Sequence, residues 1–440
     1  MAIISPFRAW RYDPEHVPLQ QAVTQPYDKI TPPMQEAYYH ASPYNLVRII
    51  LGKRQPDDGT TDNVYLRAAS SFQNWRQTGV LRRDPAPSIY RYSQTFTLSA
   101  TGARSERQGF IALGRIEEYS ANVVFRHEQT LAKPKADRLD LLRATRGHFG
   151  QIFMLYSGAG KVTALQNSAA APALSNAPPD IEVTDEYGVL HRVWKISDAA
   201  VIASLQQQMR DRKLIIADGH HRYETALTYR NERRATAETG SGLPMPYDSV
   251  MMTFVDMDLP GLVILPTHRL VFGLPSFSPA QFQGEARRFF NVEDVDPAID
   301  AARATTILQN AGHAGTALLA VTAGRAFLLH TPKAVGTPLF GKLSLRQQSL
   351  DVVQLHKCLL EGVLRISETA IRDQENVSYC REAAEALSQV QSGKVQAAFL
   401  MNPVRIDQVR DIAFAGEVLP QKSTDFYPKL LSGLTIYALE

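Results

Sequence analysis

The run LIIADGHHRYETALTY, Leu214–Tyr229, gathers one carboxylate, two imidazoles and a guanidinium within Asp218–Arg222. Apolar Leu214, Ile215 and Ile216 predict a buried strand, Asp218-Gly219 breaks it, and helical periodicity begins at His220. A strand that ends in a turn and runs into a helix aims free backbone N–H groups at one point, which favours an anion. Gly219 permits a turn that a side chain would obstruct and lets a ligand approach the backbone. Arg222 suits bidentate contact with a phosphate. Asp218 has the chemistry either to bind a metal ion or to accept a hydroxyl proton. The same residues also suit an ordinary helix cap with core imidazoles. A shared metal ion is the poorest fit, because adjacent helical positions such as His220 and His221 point about 100° apart.

Two other strings put reactive groups at element ends. RHEQTLAKPKADRLDLL places His127-Glu128 after the strand-like NVVF and before a helix. Glu128 suits a general base, and equally a first-turn acid facing a helix dipole. GEVLPQKSTDFYPKL places Lys422, Ser423 and Thr424 on a loop stiffened by Pro420. One ammonium and two hydroxyls can hold a phosphate or a carboxylate, or simply make a polar turn. Tyr27 and Asp28 of QPYDKI and His268 of LPTHRL are weaker candidates. No GxxxxGK[ST] or GxGxxG string occurs, and GAGK at 158–161 is too short, so any phosphate site depends on the DGHH helix start.

The elements that must position these groups are mixed α/β. Alternation in SIYRYSQTFTLS and QGFIALGRIEEY predicts half-buried strands, NLVRIILG reads as a further strand-like run, and a helix is expected around Asn63–Thr78. KADRLDLLRAT and AAVIASLQQQMRDR repeat apolar residues at helical spacing, while VTDEYGVLHRVWKI reads as a hairpin. The small-residue stretch at 157–180 reads as a loop or a weakly packed helix, and 239–248 as a loop. Three regions are expected: 1–120, mixed α/β; 121–275, a core with the His-Glu and DGHHR strings; and 276–440, α/β with the Lys-Ser-Thr loop.

Composition narrows the classes. With 440 residues, 44% hydrophobic and 21% charged, the chain is long enough for several cores. A net charge of +3 does not suggest a nucleic-acid groove. Cys358 and Cys380 are too few for a disulfide scaffold or a thiolate zinc site. No signal peptide and no window apolar enough for a bilayer stands out, so a cytoplasmic protein without a membrane partner is expected. Oligomeric state is not readable.

ADGHHR resembles the ligand-binding motif of the ParB/sulfiredoxin-like superfamily, in which a strand, turn and helix hold nucleotide phosphates. DGHHR is most similar to the free serine kinases. Sulfiredoxins carry a cysteine in this turn; a histidine stands here, so sulfinic-acid chemistry has no thiolate nucleophile. The kinase resemblance implies Glu128 as the base, with His127 beside it. It implies Asp218 and His220 as catalytic, and Gly219, His220, His221 and Arg222 around the phosphates. Lys422, Ser423 and Thr424, with His127, would hold the substrate. It further implies Mg²⁺, with Asp218 as a ligand, and ATP or ADP as donor to free serine or a similar small hydroxyl metabolite. The spacer from Glu128 to Asp218 is longer than in the compact kinases. A nucleotide sensor without catalysis, or a nucleotide hydrolase, fits the same strings. ADGHHRYETAL, with PFRAWRY, QPYDKI, SPYN and LPTHRL, is also similar to a bacterial family of unknown function spanning nearly the whole chain.

Overall fold

Alternating apolar residues in the first half of the chain build one large sheet, and a second set of strands builds another. The computed structural model describes residues 1–98, 102–128, 132–158, 177–236 and 244–440. Most of the small-residue stretch at 157–180, and half of the loop at 239–248, lie outside them. The described chain forms two units: Met1–Arg126 with Thr130–Leu262 and Pro428–Glu440, and His127–Gln129 with Val263–Tyr427.

The first unit is built on a nine-stranded mixed sheet. Its strands are β1 (Ile4–Ser5), β2 (Ile89–Thr97), β3 (Arg104–Arg115), β4 (Val124–Phe125), β5 (Ile152–Tyr156), β6 (Ile181–Thr184), β7 (Leu190–Ile196), β8 (Leu214–Asp218) and β9 (Ser249–Asp256). The order is β4-β8-β5-β9-β3-β2-β7-β6, with β1 on β3. Only β8 with β4 and β9 with β5 run parallel. β6 and β7 make the hairpin expected from VTDEYGVLHRVWKI.

Helices α1 (Val64–Gln77) and α2 (Ala132–Thr145) pack in an apolar cluster with Phe149 and Ile436, and α3 (Ala199–Met209) and α4 (His220–Thr236) pack on the sheet. Helix α3 starts at Asp198, whose carboxylate accepts from the N–H groups of Ala200 and Val201. Its Ile202, Leu205 and Met209 recur at three and four and pack with Ile216, Met154 and Phe254 of the sheet. Each such side chain contributes roughly 1.5–3 kcal/mol of burial.

The apolar run NLVRIILG is helical, not extended: Val47–Ile50 form a short helix. Buried Asn45 decides this locally, because its side-chain oxygen accepts from the Val47 N–H at 2.9 Å while its amide donates to Gln21 O at 2.7 Å.

The second unit carries β10 (Val263–Leu265), β11 (His268–Val271), β12 (Asn291–Val295), β13 (Ala317–Thr322), β14 (Arg325–His330), β15 (Val377–Cys380), β16 (Ala397–Met401) and β17 (Asp425–Tyr427). Six of them form an antiparallel sheet in the order β12-β14-β13-β16-β11-β15, and β10 pairs with β17. Leu319, Leu328 and Leu400 of that sheet pack with Leu308 and Leu387 of its helices. No helix among the described residues is long and apolar enough to cross a membrane.

Candidate functional site

In the first unit, chemistry gathers where β8 gives way to α4. Leu214–Ala217 are buried and Asp218 is partly exposed. The register against β5 slips between Ile216 and Asp218, a bulge that re-aims the carboxylate at the strand end. Gly219 then takes φ +92°, a conformation L side chains resist, and a Cβ there would stand 3.1 Å from the Arg222 guanidinium. Helix α4 begins at His220, so DGHHR is one strand end, one left-handed turn and the first turn of a helix.

Asp218 is surrounded by cations. Arg222 donates to its Oδ2 at 3.0 Å and Lys429 to its Oδ1 at 3.4 Å. Arg222 also donates to the Gln151 carbonyl at 2.5 Å, which fixes the guanidinium plane. Burial by itself would raise the Asp218 carboxyl, but Lys429, Arg222, Lys29 and His220 outweigh it and hold it well below the usual carboxylate range. Arg107 of β3 is fully buried beneath this point, over the Phe153 ring at 4.5 Å. It donates to the Gln94 side chain and the Pro428 carbonyl. Burial pushes it down to about 10, opposed by Tyr92 and Asp218, so it stays a cation at neutral pH. One carboxylate thus faces Lys29, Arg107, Arg222 and Lys429. The surplus is positive, and such a site attracts an anion. His220 is buried and His221 partly exposed on the first turn of α4. Tyr27 also feels Asp218 and Arg222, and burial pushes its hydroxyl up to about 12.

As a magnesium site the same geometry fits poorly. Both oxygens of Asp218 are engaged by cations, and no cluster of three or more His, Cys, Asp or Glu side chains able to hold an ion occurs among the described residues.

The second unit brings His127 and Glu128 to the Lys422–Thr424 loop, across a separation of 295 to 297 residues. Glu128 bridges in parallel to Leu419, whose N–H donates to the His127 carbonyl at 2.8 Å. His127 is fully buried, with its ring edge on Phe426 and its Nε2 2.8 Å from Thr424 Oγ1. Glu128 Oε1 accepts from the Ser423 N–H at 3.3 Å, and the Ser423 hydroxyl donates to Pro420 O at 2.5 Å. Lys422 is exposed and takes φ 56°, the left-handed turn that lets the next N–H point at Glu128.

Arg269 holds this loop from inside. Fully buried on β11, it donates to the Lys422 carbonyl at 3.1 Å, the Gln421 carbonyl at 3.4 Å and His356 at 3.3 Å, and it lies over the Tyr379 ring. Burial pushes it down to about 10, and Tyr379 and Glu128 oppose that fall. Its neighbour His268 is a core residue: Nδ1 accepts from Met401 N–H at 3.3 Å, and burial pushes it down to about 4.

Sequence reasoning missed Lys429, Lys29, Arg107 and Arg269. A charged residue inside an alternating or apolar strand was the available signal for the two arginines. Nothing local marks Lys429, which meets Asp218 across 211 residues.

No curated protein matches the chain. Among solved structures, a free serine kinase in complex with AMP is 11% identical with a TM-score of 0.34, covering 69% of this chain and 83% of its own. A conserved hypothetical protein from Pyrococcus furiosus is 10% identical with a TM-score of 0.34, covering 70% and 91%. SbnI with a C-terminal truncation from Staphylococcus aureus is 11% identical with a TM-score of 0.33, covering 73% and 85%. A family profile matches residues 4–353, most of the length. The chain belongs to the DUF1015 family of proteins of unknown function.

Proposed function

We propose that this protein is a nucleotide-dependent small-molecule kinase on a ParB/sulfiredoxin-like core, transferring phosphate from ATP or ADP to the hydroxyl of free serine or a similar metabolite in the cytoplasm. The observation that carries the reading is the excess of cations around Asp218 at a strand-to-helix turn. Polyphosphate would lie against the first turn of α4, with Arg222, Lys429 and His220 taking its charge and Gly219 and His221 closing the turn. Magnesium would arrive chelated to the nucleotide, as part of the substrate.

Glu128 is the base of this reading. Its carboxylate takes the acceptor O–H proton as that oxygen bonds to the terminal phosphorus. The bond from phosphorus to the bridging oxygen breaks, and the shortened nucleotide leaves with that electron pair. Asp218 would hold the cations in place instead of taking the proton, since a carboxyl kept this acidic is a weak base. Lys422, Ser423 and Thr424, steadied by His127 and Arg269, would hold the acceptor. DGHHR, the His-Glu pair and the Lys-Ser-Thr segment also occur in the order found in free serine kinases.

The test is phosphorus NMR of the protein with Mg²⁺, ATP or ADP, and L-serine among a panel of hydroxyl compounds. Acceptor-dependent formation of a phosphate ester is expected. Glu128→Gln should lower turnover by about 10²–10⁴-fold while nucleotide affinity holds within about 3-fold. Phosphate release without an acceptor would make the protein a hydrolase, and binding without turnover would make it a sensor.

A further inference from the structure

The first unit contains a cavity of about 70 Å³ whose wall includes the same Arg222 that grips Asp218. Most of the lining is apolar or aromatic, with Tyr27, Leu141 and Phe149 among it, and its polar side chains include Arg138, Arg222 and Thr225. The space is well above the roughly 10–15 Å³ that a single water requires, and its mostly apolar wall offers water few partners, so it suits a flat ring better than a solvated chain. Gly150 keeps it open towards Arg222: a Cβ there would stand 2.9 Å from the guanidinium and 3.2 Å from Ser432 Oγ.

Thr225 shows what the cavity lacks. Its hydroxyl is buried, with the residue 4% exposed, and makes no hydrogen bond among the described residues. Thr228 and Thr236 on the same helix return their hydroxyls to the carbonyl four residues back, at 2.9 and 3.2 Å. Leaving a buried hydroxyl unpaired costs about 1–3 kcal/mol, which a ligand atom at the right edge recovers. Across the cavity lining, Arg138 is held by Asp137 and the Ile50 carbonyl and lies 4.2 Å above the Tyr27 ring, a flat, fixed surface.

We infer that this cavity takes the heteroaromatic base of the nucleotide, with a polar ring-edge atom hydrogen-bonded to Thr225. The inference rests on reading Asp218–Arg222 as the phosphate site. Arg222 belongs to both places, so a ligand anchored there by phosphate has its organic part within reach of the cavity. The opposite pairing, with a small aliphatic acceptor in the cavity, offers no ring to lie against the flat Arg138–Tyr27 surface.

Calorimetry with pyrophosphate, ribose 5-phosphate and AMP separates the two readings. The unaltered protein should bind AMP at least about 10-fold more tightly than ribose 5-phosphate. Thr225→Val, nearly the same shape without the hydroxyl, should shrink that ratio by about 3- to 10-fold and leave pyrophosphate affinity where it was. Thr225→Ser, which keeps the hydroxyl, should restore most of the ratio, and circular dichroism checks that both variants fold. Equal affinity for AMP and ribose 5-phosphate in the unaltered protein, or a ratio that Thr225→Val does not move, overturns the base site while pyrophosphate binding stands. No pyrophosphate binding to the unaltered protein overturns the phosphate reading and the base site with it.

Discussion

A half-buried carboxylate needs something to answer its charge, and at Asp218 the answer is excessive: two direct ion pairs, with Lys29 and Arg107 adding to them. That surplus gives each cation a separable share in binding. Lys429→Met removes one charge without touching the turn, so pyrophosphate affinity should fall by about 10- to 100-fold in calorimetry, the range of a charge-assisted contact. Unchanged affinity would take Lys429 out of the anion site. At this scale the sequence was legible where chemistry is local. Asp218, Gly219 and Arg222 sit in one string, and their mutual geometry follows from a strand end and a helix start. Lys429 was not legible, because the group it pairs with lies 211 residues away, and Arg107 and Arg269 showed only as charges inside strand patterns, with nothing to say what they reach.

The turn between β8 and α4 is an element-level device: bulge, left-handed glycine, helix start. Its weak point is Gly219. Gly219→Ala forces a Cβ into φ +92° and against the Arg222 guanidinium, so stability should drop by about 1–2 kcal/mol in urea titration, with weaker pyrophosphate binding alongside. A variant as stable and as tight as the original would mean the turn tolerates a side chain. Strand, turn and helix were readable here because four apolar residues and then a long helical period leave little choice. NLVRIILG was misread for the opposite reason: so short an apolar run carries no period, and the buried amide of Asn45 tips it into a helical turn.

Each of the two units carries a histidine that burial keeps neutral, His148 in the first and His268 in the second, both pushed down to about 4. An unfolded histidine titrates near 6.5, so between about pH 6.5 and 4 the unfolded chain binds protons that the folded one refuses, and stability must fall as pH falls through that window. Trp10, Trp75 and Trp194 all belong to the first unit, so fluorescence reads that unit alone. His148→Phe should flatten the drop in the fluorescence-detected urea midpoint between pH 7 and pH 5, and an unaltered drop would assign it to other groups. The division into units was the least legible feature, because it depends on pairings between remote segments that no local pattern encodes. Leu430, Leu431, Leu434 and Ile436 are buried residues of the first unit, yet they follow the whole of Val263–Tyr427 in the chain. During synthesis, therefore, the nascent first unit cannot close its core until the second has already left the ribosome. A chaperone that shields exposed apolar surface on the growing polypeptide would be needed longest by the part that was made first.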